Sequence, residues 1–89
     1  MKYYVSADVH RAATAQETAE TGVPNARVFA GRVKTIVDAE SARDAIAQGT
    51  HKISAAIEPD CKAINIGCMP VEDARRLGDE ESYARMRTV

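Results

Sequence analysis

The sequence predicts an α+β fold: a small antiparallel sheet of about four strands with short helices packed mainly on one face. Three observations carry that prediction. The bulky apolar residues are eight valines and six isoleucines, against one leucine (Leu77) and one phenylalanine (Phe29). β-Branched side chains of this kind suit a pleated surface. Sixteen alanines supply helices that bury little area but approach a sheet closely. Several segments alternate apolar and polar residues with the period of two that marks a half-buried strand. With 89 residues, the chain is read as one domain, 1–89, with a thin core.

In "KYYVSADV", Tyr3, Val5, Ala7 and Val9 share one parity and Lys2, Tyr4, Ser6 and Asp8 the other, so residues 2–9 read as a strand. "RAATAQETAE" holds good helix formers with only alanine to bury, and Gly22 could close it. It is read as a helix or a connection. In "ARVFAGRVKTIVD", Val28 and Ala30 share one parity, whereas Val33, Thr35 and Val37 share the other. The switch falls at Gly31, where a β-bulge or tight bend is expected. Ser41 then reads as an N-cap, with Asp44 three residues on, for a helix over 42–48 that Gly49 stops. Ala42, Ala45 and Ile46 should face the sheet.

A hairpin is expected next. Ile53, Ala55 and Ile57 alternate in residues 52–58, and Ile64, Ile66 and Cys68 in the strand that begins at Lys62. Glu58-Pro59-Asp60-Cys61 reads as the turn between them. That register sends every isoleucine inward and puts Cys61 and Cys68 on opposite faces, so both thiols should be free. After Pro70, "VEDARRL" reads as a helix halted at Gly78, and "DEESYARMR" as another with Asp79 as cap. Val71, Ala74, Leu77, Tyr83 and Met86 form their expected buried side.

Composition excludes some functions. The net charge of −1 gives neither the positive surplus that neutralises phosphates nor the negative one of a nucleic-acid mimic. "MKYYVSADV" reads as a strand and not a signal peptide, and no apolar run is long enough to span a membrane. Two cysteines outside any zinc or CxxC spacing fit a reducing cytoplasm.

Convergent chemistry is also missing. His10 and His51 lie in no triad or metal pattern, Cys68 reads as a small core residue, and the glycines form no phosphate-binding loop. The expectation is a protein that is not an enzyme and uses no cofactor or metal. Tyr3-Tyr4 on a first strand suggests an RNA-binding sheet, but "ARVFAGRV" lacks the glycine- and aromatic-rich signature such domains carry on a later strand.

One sheet face remains. Tyr4, Phe29, Ile36, Ala56 and Ala63 have parity opposite to the predicted core. They are either covered by helices or form an interface to another protein or to a second copy. The acidic run Asp79, Glu80 and Glu81 is a competing contact for a basic partner, or simply a solvated helix start.

In its size and order of elements, the chain resembles small phage- and mobile-element-encoded inhibitors, the anti-CRISPR proteins among them. The likeness covers about residues 2–67. It lies in a first strand, a bent second strand, a helix after "VDAESARDAIA" and a hairpin in "HKISAAIEPDCKAINIG". It implies a protein inhibitor or adaptor whose partner is a host or defence-system protein. With net charge near zero, steric blocking is expected in place of DNA mimicry.

Overall fold

In a computed structural model describing residues 1–89, four strands form one sheet in the order β3-β1-β2-β4. The elements are β1 (Lys2–Ala12), α1 (Ala15–Thr21), β2 (Arg27–Asp38), α2 (Ala42–Ala56), β3 (Cys61–Pro70), α3 (Val71–Leu77), α4 (Glu80–Ala84) and β4 (Arg87–Thr88). β1 pairs antiparallel with both β2 and β3, and the short β4 pairs parallel with β2. The expected α+β class is therefore observed, with a mixed, mostly antiparallel sheet.

The parity of β1 holds. Tyr3, Val5, Ala7 and Val9 are buried with Val33, Val37 and Ala39, and α2 closes this core with Ala45 and Ile53. Thr35 is fully buried on the same face, opposite Val5, and its Oγ1 has no hydrogen-bond partner. An unpaired buried hydroxyl carries a desolvation cost, whereas valine fills the same volume without it. Thr35→Val should therefore raise stability by about 1 kcal/mol, read as a higher urea midpoint at unchanged slope. A lower midpoint would mean that the hydroxyl is satisfied after all.

The predicted bend at Gly31 is a bulge. Val9 pairs with Gly31 and His10 with Phe29, which leaves Ala30 as the extra residue, and Gly31 takes φ 117°. α1 forms although none of its residues is buried. Local chemistry holds it instead. Thr14 and Glu17 make a reciprocal capping box, and Arg11 forks onto both Glu17 carboxylate oxygens at 2.8 and 3.1 Å.

The expected hairpin over 52–67 does not form. α2 runs straight through Gly49 to Ala56, so Ile53, Ala55 and His51 are helical. The inward stripe of α2 is Ala45, Gly49 and Ile53, four residues apart, while Ala42 is exposed and Ile46 is 38% exposed. Spacing of four serves a helix as well as a strand, which is why Ile53 and Ile57 satisfy both patterns. Ile57, extended ahead of Glu58-Pro59, ends the helix, as residues approaching a proline tend to. The segment behind the resemblance to phage inhibitors is thus a helix followed by a strand that pairs with β1.

A second bulge corrects the faces of β3. Ser6 pairs with Gly67 and Asp8 with Ile64, so Asn65 and Ile66 both stand opposite Ala7, and Asn65 sits at φ 52°. The extra residue inverts parity along the strand. Ile66 packs against the core, Ile64 faces outward at 37% exposure, and Ala63 packs on the core side and not on the outer face. Cys61 and Cys68 both pack against the core instead of lying on opposite faces, and both are free thiols. Ala56, the other expected outer-face residue, belongs to exposed α2 surface.

α3 ends at Gly78, whose φ of 77° is the expected left-handed stop. Ala74 and Tyr83 are buried as expected, but Leu77 is 60% exposed and the Asp79 side chain makes no cap hydrogen bond. α3 and α4 each last under two turns and bury one residue each. Unlike α2, the C-terminal segment lies across the outer face, where Tyr83 meets Tyr4. No helix is long and apolar enough to cross a membrane.

Candidate functional site

The register of β1 and β2 defines the outer face residue by residue. Tyr4 stands opposite Ile36, Ser6 opposite Lys34, Asp8 opposite Arg32, His10 opposite Phe29 and Ala12 opposite Arg27. Because the bulge at Ala30 absorbs one residue, Arg27 and Phe29 share a face with Arg32, Lys34 and Ile36 across the parity switch. On the other side of β1, Met69, Ile64 and Lys62 stand opposite Tyr4, Asp8 and His10.

The C-terminal segment covers one end of this face. The rings of Tyr4 and Tyr83 stack with centroids 4.3 Å apart and planes 10° from parallel. Lys34 Nζ donates to the Tyr83 carbonyl and lies 5.8 Å from the centre of the Tyr4 ring, within cation–π range. The Val89 amide donates to the Lys34 carbonyl at 2.9 Å, extending the hold of β4 on β2. Tyr4 is therefore half-buried beneath its own chain, while Ile36 beside it keeps 43% exposure.

The other end is open. Phe29 is 57% exposed, and the His10 ring approaches it edge-on at 5.9 Å between centroids. Ile64 adds a second exposed apolar residue, and Lys62 and Arg27 lie exposed nearby in the register. Aromatic and aliphatic surface left in water at a rigid sheet is costly, at about 25 cal/mol for each Å².

Asp8 joins the three long strands at the centre of this face. It accepts from Arg32 Nε at 2.8 Å and from Asn65 Nδ2 at 3.0 Å, so one carboxylate ties β1 to both bulged neighbours. The hydrogen bond from Asn65, followed by that from Arg32, holds its pKa below the ordinary 3.8. The folded state thus binds this proton less readily than the unfolded chain does. Its contribution is complete above the unfolded value and is lost as pH falls through the lower folded value. Asp8→Asn should flatten the acid limb of the stability curve below about pH 4 and leave its slope near neutrality unchanged. An unaltered acid limb would mean that Asp8 is not coupled to folding.

The acidic run is largely consumed internally. Glu80 accepts from Arg75 at 2.9 Å and Glu81 from Arg85 at 2.8 Å, while Asp79 is half-buried and its backbone carbonyl accepts from the Tyr83 amide. These exposed, solvent-screened pairs hold α4 only locally. Tyr4, Phe29 and Ile36 do share one sheet face, as their parity implies. Asp79, Glu80 and Glu81 belong to the segment that covers its Tyr4 end.

No group of three or more His, Cys, Asp and Glu side chains is placed to hold a metal ion. His51 lies exposed on α2, away from His10 on the sheet. Cys68 Sγ points to the Ala42 carbonyl at 3.6 Å. Burial, together with the carboxylates of Asp60 and Glu58, raises the pKa of Cys61, which keeps it a neutral thiol and not a nucleophilic thiolate. The Asp8–Arg32–Asn65 contact was beyond sequence reasoning, since it requires both bulged registers at once. The only hint was a carboxylate at an outward strand position, between Ser6 and His10 on the same face. No family model, curated protein or solved structure matches the chain.

Proposed function

We propose that this chain is a small non-enzymatic protein-binding domain that acts as an inhibitor or adaptor by covering a partner's surface with the open half of its outer sheet face. The observation that carries this reading is Phe29, an exposed aromatic fixed on a paired strand beside His10 and within one strand of Ile64. Rigid aromatics of this kind are the usual anchors of interfaces. The free thiols suit a cytoplasmic setting. A host defence protein as the target rests on what is left of the likeness to phage-encoded inhibitors, the size, the first strand and the bent second strand, since the hairpin is absent.

A second copy of the chain is the competing occupant. A two-fold contact through the open patch would bring the exposed Arg27 and Lys62 close to their own images, and like charges brought together in an interface are unfavourable. A heterologous partner fits better.

Phe29→Asp tests the proposal against Leu77→Asp, an equally exposed apolar residue on α3. In pull-downs from bacterial lysate, the first variant should lose the captured partner and the second should retain it. Light scattering should give a monomer mass for all three proteins. Equal capture by both variants, or a dimer that Phe29→Asp dissociates, would overturn the proposal.

A further inference from the structure

Resting on that protein-binding reading, we infer that residues 79–89 are a detachable cover, hinged at Gly78, and that the partner engages the whole outer face only when this segment lifts off Tyr4. The segment is held thinly. Seven of its eleven residues are exposed, and Tyr83 is the only buried one. Its grip on the sheet is the Tyr83 ring on Tyr4, the bond from Lys34 Nζ to the Tyr83 carbonyl, two residues of parallel β4 pairing and Val89 at the margin of the core. An open cleft of about 290 Å³, lined by Arg32 of β2 and by Ser82, Arg85 and Met86, lies between these points. Few buried apolar contacts and exposed backbone hydrogen bonds mark a unit that opens without unfolding the rest. α2 is the contrast, since Ala45, Gly49 and Ile53 are all buried on the sheet.

What the cover hides completes the face. Tyr4 stands between Ile36 on β2 and Met69 on β3, as His10 stands between Phe29 and Lys62 at the open end. Each end is thus a three-strand row built around a ring on β1. Size points the same way. With strands about 4.8 Å apart and about 3.3 Å per residue, the open half over residues 8–12 measures about 14 by 17 Å in plan, or about 240 Å². A standard interface uses about 800 Å² on each side. Baring the Tyr4 end, over residues 2–7, about doubles the plan area. A face uncovered in a small fraction of molecules binds with an apparent affinity reduced by that fraction, and a partner that fits only the open form selects it.

Two variants of the full chain test this, one releasing the segment and one locking it. Tyr83→Ser removes the stacked ring from the cover and leaves Tyr4 in place. Lys34→Cys/Thr88→Cys joins registered neighbours of β2 and β4 by a disulfide that dithiothreitol reverses, and a thiol count confirms that Cys61 and Cys68 stay free. In the parent, trypsin should cut after Arg85 at least about a hundredfold faster than after Arg32, because only the Arg32 site needs global unfolding. The disulfide should slow the Arg85 cut about tenfold or more, and reduction should restore it. The protein captured from lysate should bind Tyr83→Ser about tenfold more tightly than the parent, and the locked form about tenfold more weakly than the same variant reduced. Equal cleavage at the two arginines, a lock that leaves the Arg85 cut or the capture unchanged, or weaker capture by Tyr83→Ser would overturn the inference. Capture that Phe29→Asp abolishes but the lock does not touch leaves the protein-binding face standing without a cover. No captured protein at all fails the protein-binding reading, and the partner's need for the open form with it, while the trypsin rates still decide whether the segment detaches.

Discussion

Ile53→Ala is expected to cost about 2–5 kcal/mol, the range for a fully buried isoleucine whose removal leaves a cavity. Ile53 is completely buried at the centre of α2's inward stripe, where it closes the core over Val5, Ala7 and the β2 valines. A domain of this size has a total stability of about 5–10 kcal/mol, so this one truncation removes a large share of it. The melting temperature should fall by at least about 10 °C. Ile64→Ala is the informative companion. In a hairpin spanning residues 52–67 both isoleucines would be core and both truncations would cost alike. In the observed fold Ile64 faces outward beyond the Asn65 bulge, and its loss should cost under about 1 kcal/mol. Urea denaturation of the two variants decides between the registers, and similar losses would reject the helical placement of Ile53.

That contrast also marks where the fold could be read from the sequence and where it could not. Residues 2–9 of β1 were legible because their alternation is regular, whereas the strand runs on through Ala12 into a stretch that reads as helix or connection. The bulge beside Gly31 was legible too, since a glycine sat where parity changed. Residues 50–57 were not. Ile53 and Ile57 lie on one face of a helix and on one face of a strand alike, and only the tertiary choice to lay Ala45, Gly49 and Ile53 on the sheet separates the two. The bulge at Asn65 left no comparable mark, because asparagine in a left-handed conformation looks like any polar residue in a row of letters. The candidate site inherits both results. The parity of Tyr4, Phe29 and Ile36 placed them on one face, but which of them stays uncovered was settled by Tyr83 docking on Tyr4, a contact seventy-nine positions apart that no local pattern encodes.

Gly49→Ala should destabilise the protein by about 2 kcal/mol or more, against the direction that local preference gives. Within a helix, alanine is favoured over glycine by about 1 kcal/mol, and Gly49 lies inside α2 without a left-handed φ. A residue that merely tolerated glycine would gain from the change. Here a Cβ would come within 2.6 Å of Cβ and both γ-carbons of Val5, closer than carbon atoms can approach. Val5 is fully buried and cannot withdraw, and truncating it would not help because its own Cβ is part of the clash. The helix must lift from the sheet, and Ala45 and Ile53 lift with it. The glycine thus sets the distance between α2 and β1, which is why an alanine-rich helix can lie flat on a valine-lined strand. Gly67→Ala is the control, since a Cβ there meets nothing within 4 Å and the backbone φ is ordinary. It should leave stability within about 1 kcal/mol of the parent. Equilibrium denaturation of the two variants should therefore separate them clearly. A Gly49→Ala protein as stable as Gly67→Ala, or more so, would show that the helix does not rest on Val5 and that glycine at this position has another purpose.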